Sequence, residues 1–149
     1  MHRDMLEISP LHNSEFEAWL PLASAYMAFY KTTRELGAYQ TLWQRLHSNT
    51  NLHSFGARLD GTLVGFTHYF FHPSCWSADV CYLQDLFVNL EARGQGLGRA
   101  LISNVTEHAK REGSPRVYWL TQSNNESARK LYDQVASHSG FIRYEVNLA

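Results

Sequence analysis

Residues 82–100 read YLQDLFVNLEARGQGLGRA: an apolar strand, a short polar turn, then Arg93-Gly94-Gln95-Gly96-Leu97-Gly98 opening a helix. The first N–H groups of a helix have no partner within it, and the helix dipole adds partial positive charge there. With glycine at 94, 96 and 98, little side chain keeps an anion away from that backbone. The segment predicts a strand–turn–helix unit with a phosphate-bearing ligand at its turn.

Downstream, Leu97, Leu101, Val105 and Ala109 recur at helical spacing, and Gly113-Ser114-Pro115 ends that helix near 111. A short strand is predicted over 117–121. Crossover handedness then pairs it in parallel, or nearly so, with the strand over 80–88. Ser123 or Asn124 caps a further helix bearing Ala128, Leu131, Tyr132 and Val135, and 141–146 closes the chain as a strand.

Upstream, 6–9 is a short strand. A helix capped by Asn13 or Ser14 runs to about 31 with Phe16, Leu20, Ala23 and Met27 on one face. A second helix over 35–46 carries Tyr39, Leu42, Trp43 and Leu46. Strands over 55–59 and 63–71 flank Asp60-Gly61, a dipeptide suited to a tight hairpin turn, and 72–78 is a loop. The order β-α-α-β-β-β-α-β-α-β implies an α/β fold with a mixed central sheet, as one domain over 1–149.

The 149 residues are 44% hydrophobic and 18% charged, an ordinary globular composition. Thirteen Lys and Arg against 14 Asp and Glu give −1, so no strong field recruits nucleic acid or an anionic membrane. No apolar run is long enough for a membrane span, and none at the start resembles a secretory signal. A cytoplasmic protein with two reduced thiols, Cys75 and Cys81, is expected. Among eight histidines, His68 and His72 share a strand face, but no spacing matches a zinc pattern, so no metal is expected.

Three nucleotide patterns compete for the glycine turn. A mononucleotide loop needs Lys followed by Ser or Thr, and here Arg99-Ala100 follows Gly98. A dinucleotide G-x-G-x-x-G fails by one position, because the sixth residue from Gly94 is Arg99. The R/Q-x-x-G-x-G/A loop that holds the coenzyme A pyrophosphate is matched at every defined position by residues 93–98. At this point the chain resembles the GCN5-related N-acetyltransferases (GNAT). It is most similar to the diamine acetyltransferases and the histone, polyamine and D-amino-acid acetyltransferases. The likeness rests on YLQDLFV (82–88), RGQGLGRA (93–100) and VYWLTQSNNESARKLY (117–132), followed by Ser139-Gly140-Phe141.

The resemblance implies a three-layer GNAT fold, with helices on both faces of the sheet. It also implies direct transfer of acetyl from acetyl-CoA to a small-molecule amine in a ternary complex. Leu86, Phe87 and Val88 would pair with the pantetheine arm, and Arg93, Gly94, Gln95, Gly96, Leu97, Gly98 and Arg99 would wrap the pyrophosphate. Asn125 and Ala128, in an N-x-x-A pattern, would contact the arm. Tyr132 would lie near the thioester sulfur, in the cofactor site.

A protonated alkylamine must lose a proton before attack, the oxyanion needs a donor such as the Val88 N–H, and the thiolate needs a proton. Tyr132 is the candidate acid. Gln84 stands where polyamine relatives carry a glutamate and cannot act as a base, leaving Asp85 to bind the substrate cation or relay its proton. Strand alternation predicts opposite faces for Gln84 and Asp85. Tyr30 and Trp43 are candidates for the acceptor pocket. Sheet pairing or exchange through the last strand would make a homodimer, as in relatives. Two other functions fit the same residues: acetylation of a protein lysine or N-terminus, and a CoA-binding sensor with little catalysis.

Overall fold

A computed structural model describes residues 5–48 and 51–149. Strand β1 (Leu6–Ser9) leads through a 3-10 turn (Asn13–Glu15) to helices α1 (Phe16–Phe29) and α2 (Leu36–His47). Strands β2 (Leu52–Leu59), β3 (Thr62–His72) and β4 (Val80–Val88) follow. A second 3-10 turn (Leu90–Ala92) precedes α3 (Leu97–Arg111), β5 (Val117–Tyr118) and α4 (Glu126–Val135).

The sheet order is β1-β2-β3-β4-β5. The first four strands are antiparallel neighbours, and β5 lies parallel to β4 as the crossover predicts. Asp60 and Gly61 take φ of 49° and 83°, the left-handed pair that a two-residue hairpin requires.

The β3 side chains reach two cores: alternation separates Phe66 from Tyr69, and a bulge that leaves Val64 unpaired with β2 brings Leu63 to the face of Phe66. On one face Phe66 and Leu63 meet Trp19 and Leu22 of α1 and Tyr39 and Trp43 of α2. On the other, Tyr69, Cys81 and Leu83 meet Ile102, Val105 and Ala109 of α3, with Leu131, Tyr132 and Val135 of α4 at the margin. Helices cover both faces, giving the mixed three-layer α/β arrangement. Trp19 is fully buried, with the rings of Phe16, Tyr39, Trp43 and Phe66 centred 4.9–6.3 Å away.

Three sequence expectations change. Residues 141–146 form no strand, and Phe141, Ile142, Tyr144 and Val146 are exposed. Their alternation suits a sheet, but no described strand of this chain lies beside them. The fifth strand is two residues long rather than five, so its pairing with β4 ends at Tyr82↔Tyr118. Finally, His68 pairs with Asp85 and Tyr69 with Leu83, which leaves Gln84 as an extra residue in β4. Such a bulge breaks period-two alternation, so alternation does not assign Gln84 and Asp85 to opposite faces.

One buried ion pair ties the first strand and turn to the hairpin. Arg58, 4% exposed, donates from Nε to Glu15 Oε2 (3.0 Å) and from its terminal nitrogens to Ser9 Oγ (2.8 Å) and the Pro10 carbonyl (3.2 Å). Glu15 also accepts the His12 N–H (2.8 Å). Burial pushes the Glu15 carboxyl up, but the bonds from Arg58 and His12 outweigh it and hold it below the ordinary value of 4.5. Its contribution is therefore present above that value and lost as pH falls through the lower folded one. Arg58→Leu should cost about 3 kcal/mol in urea unfolding at pH 7, because it strands the acid. Glu15→Gln should be milder at pH 7 and should flatten the loss of stability below pH 4.5.

Candidate functional site

After Tyr82 nothing in the sheet pairs with the outer edge of β4 among the described residues, since β5 stops at Tyr118. The edge groups follow from the ladder. The Asn89 N–H bonds the Val64 carbonyl (2.7 Å), so the Phe66–Phe87 pair is also of the hydrogen-bonded type. Phe87 therefore spends its backbone groups on β3. Leu86 and Val88, paired with Thr67 and Gly65, turn theirs to the free edge. The Val88 carbonyl is taken by Arg93 Nε (2.9 Å), whose guanidinium lies 5.6 Å from the Phe87 ring centre.

This edge runs into the glycine turn. Gly94 and Gly96 have φ of 83° and 78°, and Gly96 is the N-cap of α3. A Cβ at either would meet nothing within 4 Å, so open space faces this backbone. The left-handed φ disfavours side chains there, and the α3 N-terminus adds unpaired N–H groups and dipole. The Gly98 position meets Leu131 at 3.1 Å, so this glycine lets α4 pack close. The Leu97 side chain is core and Gln95 is exposed. Arg99 bonds Gln134 of α4 (2.6 Å). Asn125, rather than Ser123 or Asn124, caps α4: its Oδ1 accepts the Ala128 N–H at 3.4 Å.

Asp85 lies on β4 opposite His68, and its Oδ2 is 2.8 Å from His68 Nδ1. Trp19 Nε1 is 3.2 Å from His68 Nε2. An indole N–H only donates, so Nε2 must be the acceptor and Nδ1 must carry the proton that bonds Asp85. Trp19 thus fixes one neutral tautomer of His68, and His68 fixes one carboxylate oxygen of Asp85. Both rings are buried.

A row of phenols continues from the carboxylate. Burial raises the pKa of Tyr26, and the charge of Asp85, a neighbouring hydrogen-bond acceptor, raises it further. Tyr30, whose ring centre is 5.2 Å from that of Tyr26, is also raised, chiefly by burial. Tyr132 of α4 is pushed up to about 12 by burial and then by Tyr30. Its ring packs on Trp119 (5.4 Å). Tyr26, Met27, Arg34, Phe66, His68 and Asp85 line one small open pocket between α1, α2 and the sheet.

Of the residues picked out from sequence, Asp85, Tyr30 and Tyr132 come together electrostatically, with the β4 edge and glycine turn alongside. Trp43 is core: it is buried, and its indole N–H reaches the Asn13 carbonyl (3.4 Å). Gln84 is exposed in its bulge. His68 and His72 do not converge, since His72 bonds Tyr118 (2.9 Å). No group of three or more His, Cys, Asp or Glu able to hold a metal occurs among the described residues. Cys75 and Cys81 are both free thiols. Sequence reading missed the parts of Trp19, His68, Tyr26 and Arg34. Only the β3–β4 register brings His68 to Asp85.

Residues 15–136 match the profile of the Acetyltransferase (GNAT) family. A D-amino-acid N-acetyltransferase of Saccharomyces cerevisiae is 33% identical over 152 residues, covering 99% of this chain and 94% of that protein. A thialysine N-epsilon-acetyltransferase of Bos taurus is 36% identical over 70 residues, 47% of this chain and 41% of that one. The fold is shared with an aminoglycoside N-acetyltransferase solved in complex with CoA, at a TM-score of 0.87 and 19% identity, over 99% of this chain and 98% of that one.

The tautomer assignment has a direct test. Nitrogen-15 NMR should find His68 protonated at Nδ1 alone. Trp19→Phe, which removes the donor that Nε2 has among the described residues, should release the ring to a mixture of forms and cost about 1–3 kcal/mol of stability.

Proposed function

The chain belongs to the acetyltransferase (GNAT) family, and from that premise we propose that it moves acetyl from acetyl-CoA to the primary amine of a small molecule, in the cytoplasm. The observation that carries this reading is the unpaired β4 edge, which runs from the Asp85 pocket into the glycine turn. CoA pyrophosphate sits on residues 93–99, and the pantetheine arm pairs with Leu86 and Val88 like an added strand. Phe87 contributes its side chain instead, because its backbone already bonds β3. Asn125 and Ala128 border the arm.

The acceptor ammonium is held by the Asp85 oxygen not bonded to His68. A carboxylate is too weak a base to keep a proton taken from an alkylammonium of pKa near 10. Asp85 therefore binds the cation and passes its proton to water, beside the hydroxyls of Tyr26 and Tyr30. The neutral amine attacks the thioester carbonyl, and the Leu86 N–H, the free edge donor beside Asp85, steadies the oxyanion in place of the Val88 N–H, which pairs with the pantetheine arm. The Tyr132 hydroxyl faces the departing sulfur. A phenol near 12 stays protonated at any working pH, yet full transfer to a thiolate near 8.5 is uphill by about 5 kcal/mol. Tyr132 thus acts by a hydrogen bond that tightens as charge reaches the sulfur, and on collapse the thiolate gains, by way of the Tyr132 hydroxyl, the proton that the amine nitrogen sheds, so the phenol ends as it began. The likeness to the yeast D-amino-acid enzyme along nearly the full length of both chains supports a small acceptor over a protein one.

The last residues have a role in the same reading. Ile142, Tyr144, Val146 and Leu148 alternate with Arg143, Glu145 and Asn147, and all four apolar side chains are at least 75% exposed. Such a strand needs a sheet edge, and a second copy supplies one reciprocally. The protein should run as a dimer by light scattering, and Tyr144→Asp with Val146→Asp should give a folded monomer.

Thiol release from acetyl-CoA over a panel of polyamines, amino acids, aminoglycosides and lysine peptides tests the reaction. Small amines should turn over; CoA binding without turnover on any of them would point to a sensor. Tyr132→Phe should lower kcat roughly 100-fold, and Asp85→Asn should raise KM for the amine about tenfold or more. Because Tyr132 remains an acid to about pH 12, kcat/KM should climb as the amine deprotonates and show no fall before pH 11. An alkaline limb near pH 10 that Tyr132→Phe abolishes would contradict that assignment.

A further inference from the structure

We propose that Arg34 reads a carboxylate on the acceptor, so that the preferred acceptor is an amino acid rather than a polyamine. This rests on the assignment of the Asp85 pocket to the acceptor. Arg34 stands in the turn between α1 and α2 and lines the same small pocket as Asp85. His68 Nε2 accepts from Trp19, so among the described residues that line the pocket Arg34 and Asp85 supply the formal charges, one of each sign. Arg34 makes no ion pair with any described carboxylate. Its Nε rests on Met27 Sδ (3.2 Å), and Met27 packs against the aromatic core. The guanidinium is therefore tethered at the pocket wall by one nitrogen, with both terminal nitrogens left to donate.

A fork of two parallel N–H donors matches a carboxylate in shape and charge. A molecule with an ammonium on Asp85 and a carboxylate on Arg34 satisfies both charges across one small pocket. A diamine in the same place brings its second cation toward Arg34 and is repelled. Amide or alcohol substituents lose the charge that Arg34 offers to pair.

The experiment compares leucine of both hands, leucinamide, 3-methylbutylamine and a diamine as acceptors for wild type, Arg34→Gln and Arg34→Lys. Arg34 is exposed, so both variants should keep the wild-type melting temperature. Wild type should favour the better leucine enantiomer over leucinamide relative to Arg34→Gln by roughly 10- to 100-fold in kcat/KM, carried by KM. Taking the ratio between enzymes cancels the differing amine pKa values. Arg34→Lys should restore part of the preference, and Arg34→Gln should gain on the diamine. A leucine-to-leucinamide ratio unchanged by Arg34→Gln would overturn the proposal. Calorimetric titration of leucine and leucinamide into the CoA-loaded protein separates this from the transferase reading. If no amine is acetylated, the transferase reading fails alone. Weaker leucine binding in Arg34→Gln would then still support the carboxylate site, and equal or absent binding in wild type and variant would overturn it.

Discussion

Everything in the site depends on the parting of β4 from β5. The two strands pair only at Cys81↔Val117 and Tyr82↔Tyr118, and two residues further along β4 carries its extra residue, Gln84. A bulge increases local twist and bends its strand, so the end of β4 leads away from β5. Backbone donors and acceptors left on such an edge seek partners. Here they lie between the Asp85 pocket and the N-terminus of α3, which joins the two into one continuous surface.

The pocket draws its rigidity from the core. Trp19 fills the α1–α2 side of the sheet by packing, and its one polar atom meets His68. The imidazole in turn holds Asp85. Removing the indole therefore perturbs a core contact and a carboxylate together.

Local signals were legible in the chain and distant ones were not. Asp60-Gly61, the α3 stripe of Leu97, Leu101, Val105 and Ala109, and the glycine turn each encode their geometry within a few residues, and each occurs as expected. The backbone geometry of the glycine turn was therefore readable, as was the place of Asp85 on its strand. The His68–Asp85 pair depends on a register that one bulged residue resets, which no periodicity reports. Asn125 took the α4 cap expected of its neighbours, a difference of one residue in a run of polar side chains. The segment over 141–146 has the alternation of a strand but no partner strand among the described residues, and a pattern of polar and apolar residues carries no information about where an edge partner lies.

Arg34 sits in a short exposed turn, whereas Asp85 is fixed by a strand, a buried imidazole and a buried indole. Connecting turns tolerate replacement and insertion far better than such packed positions. The two ends of this pocket are thus unequally free to evolve. In the proposed reading, the end that would grip an amine is bound to the stability of the fold, while the end that would select what the amine is attached to can be rewritten without disturbing the sheet. Descendants of this chain would be expected to diverge in acceptor while retaining the chemistry.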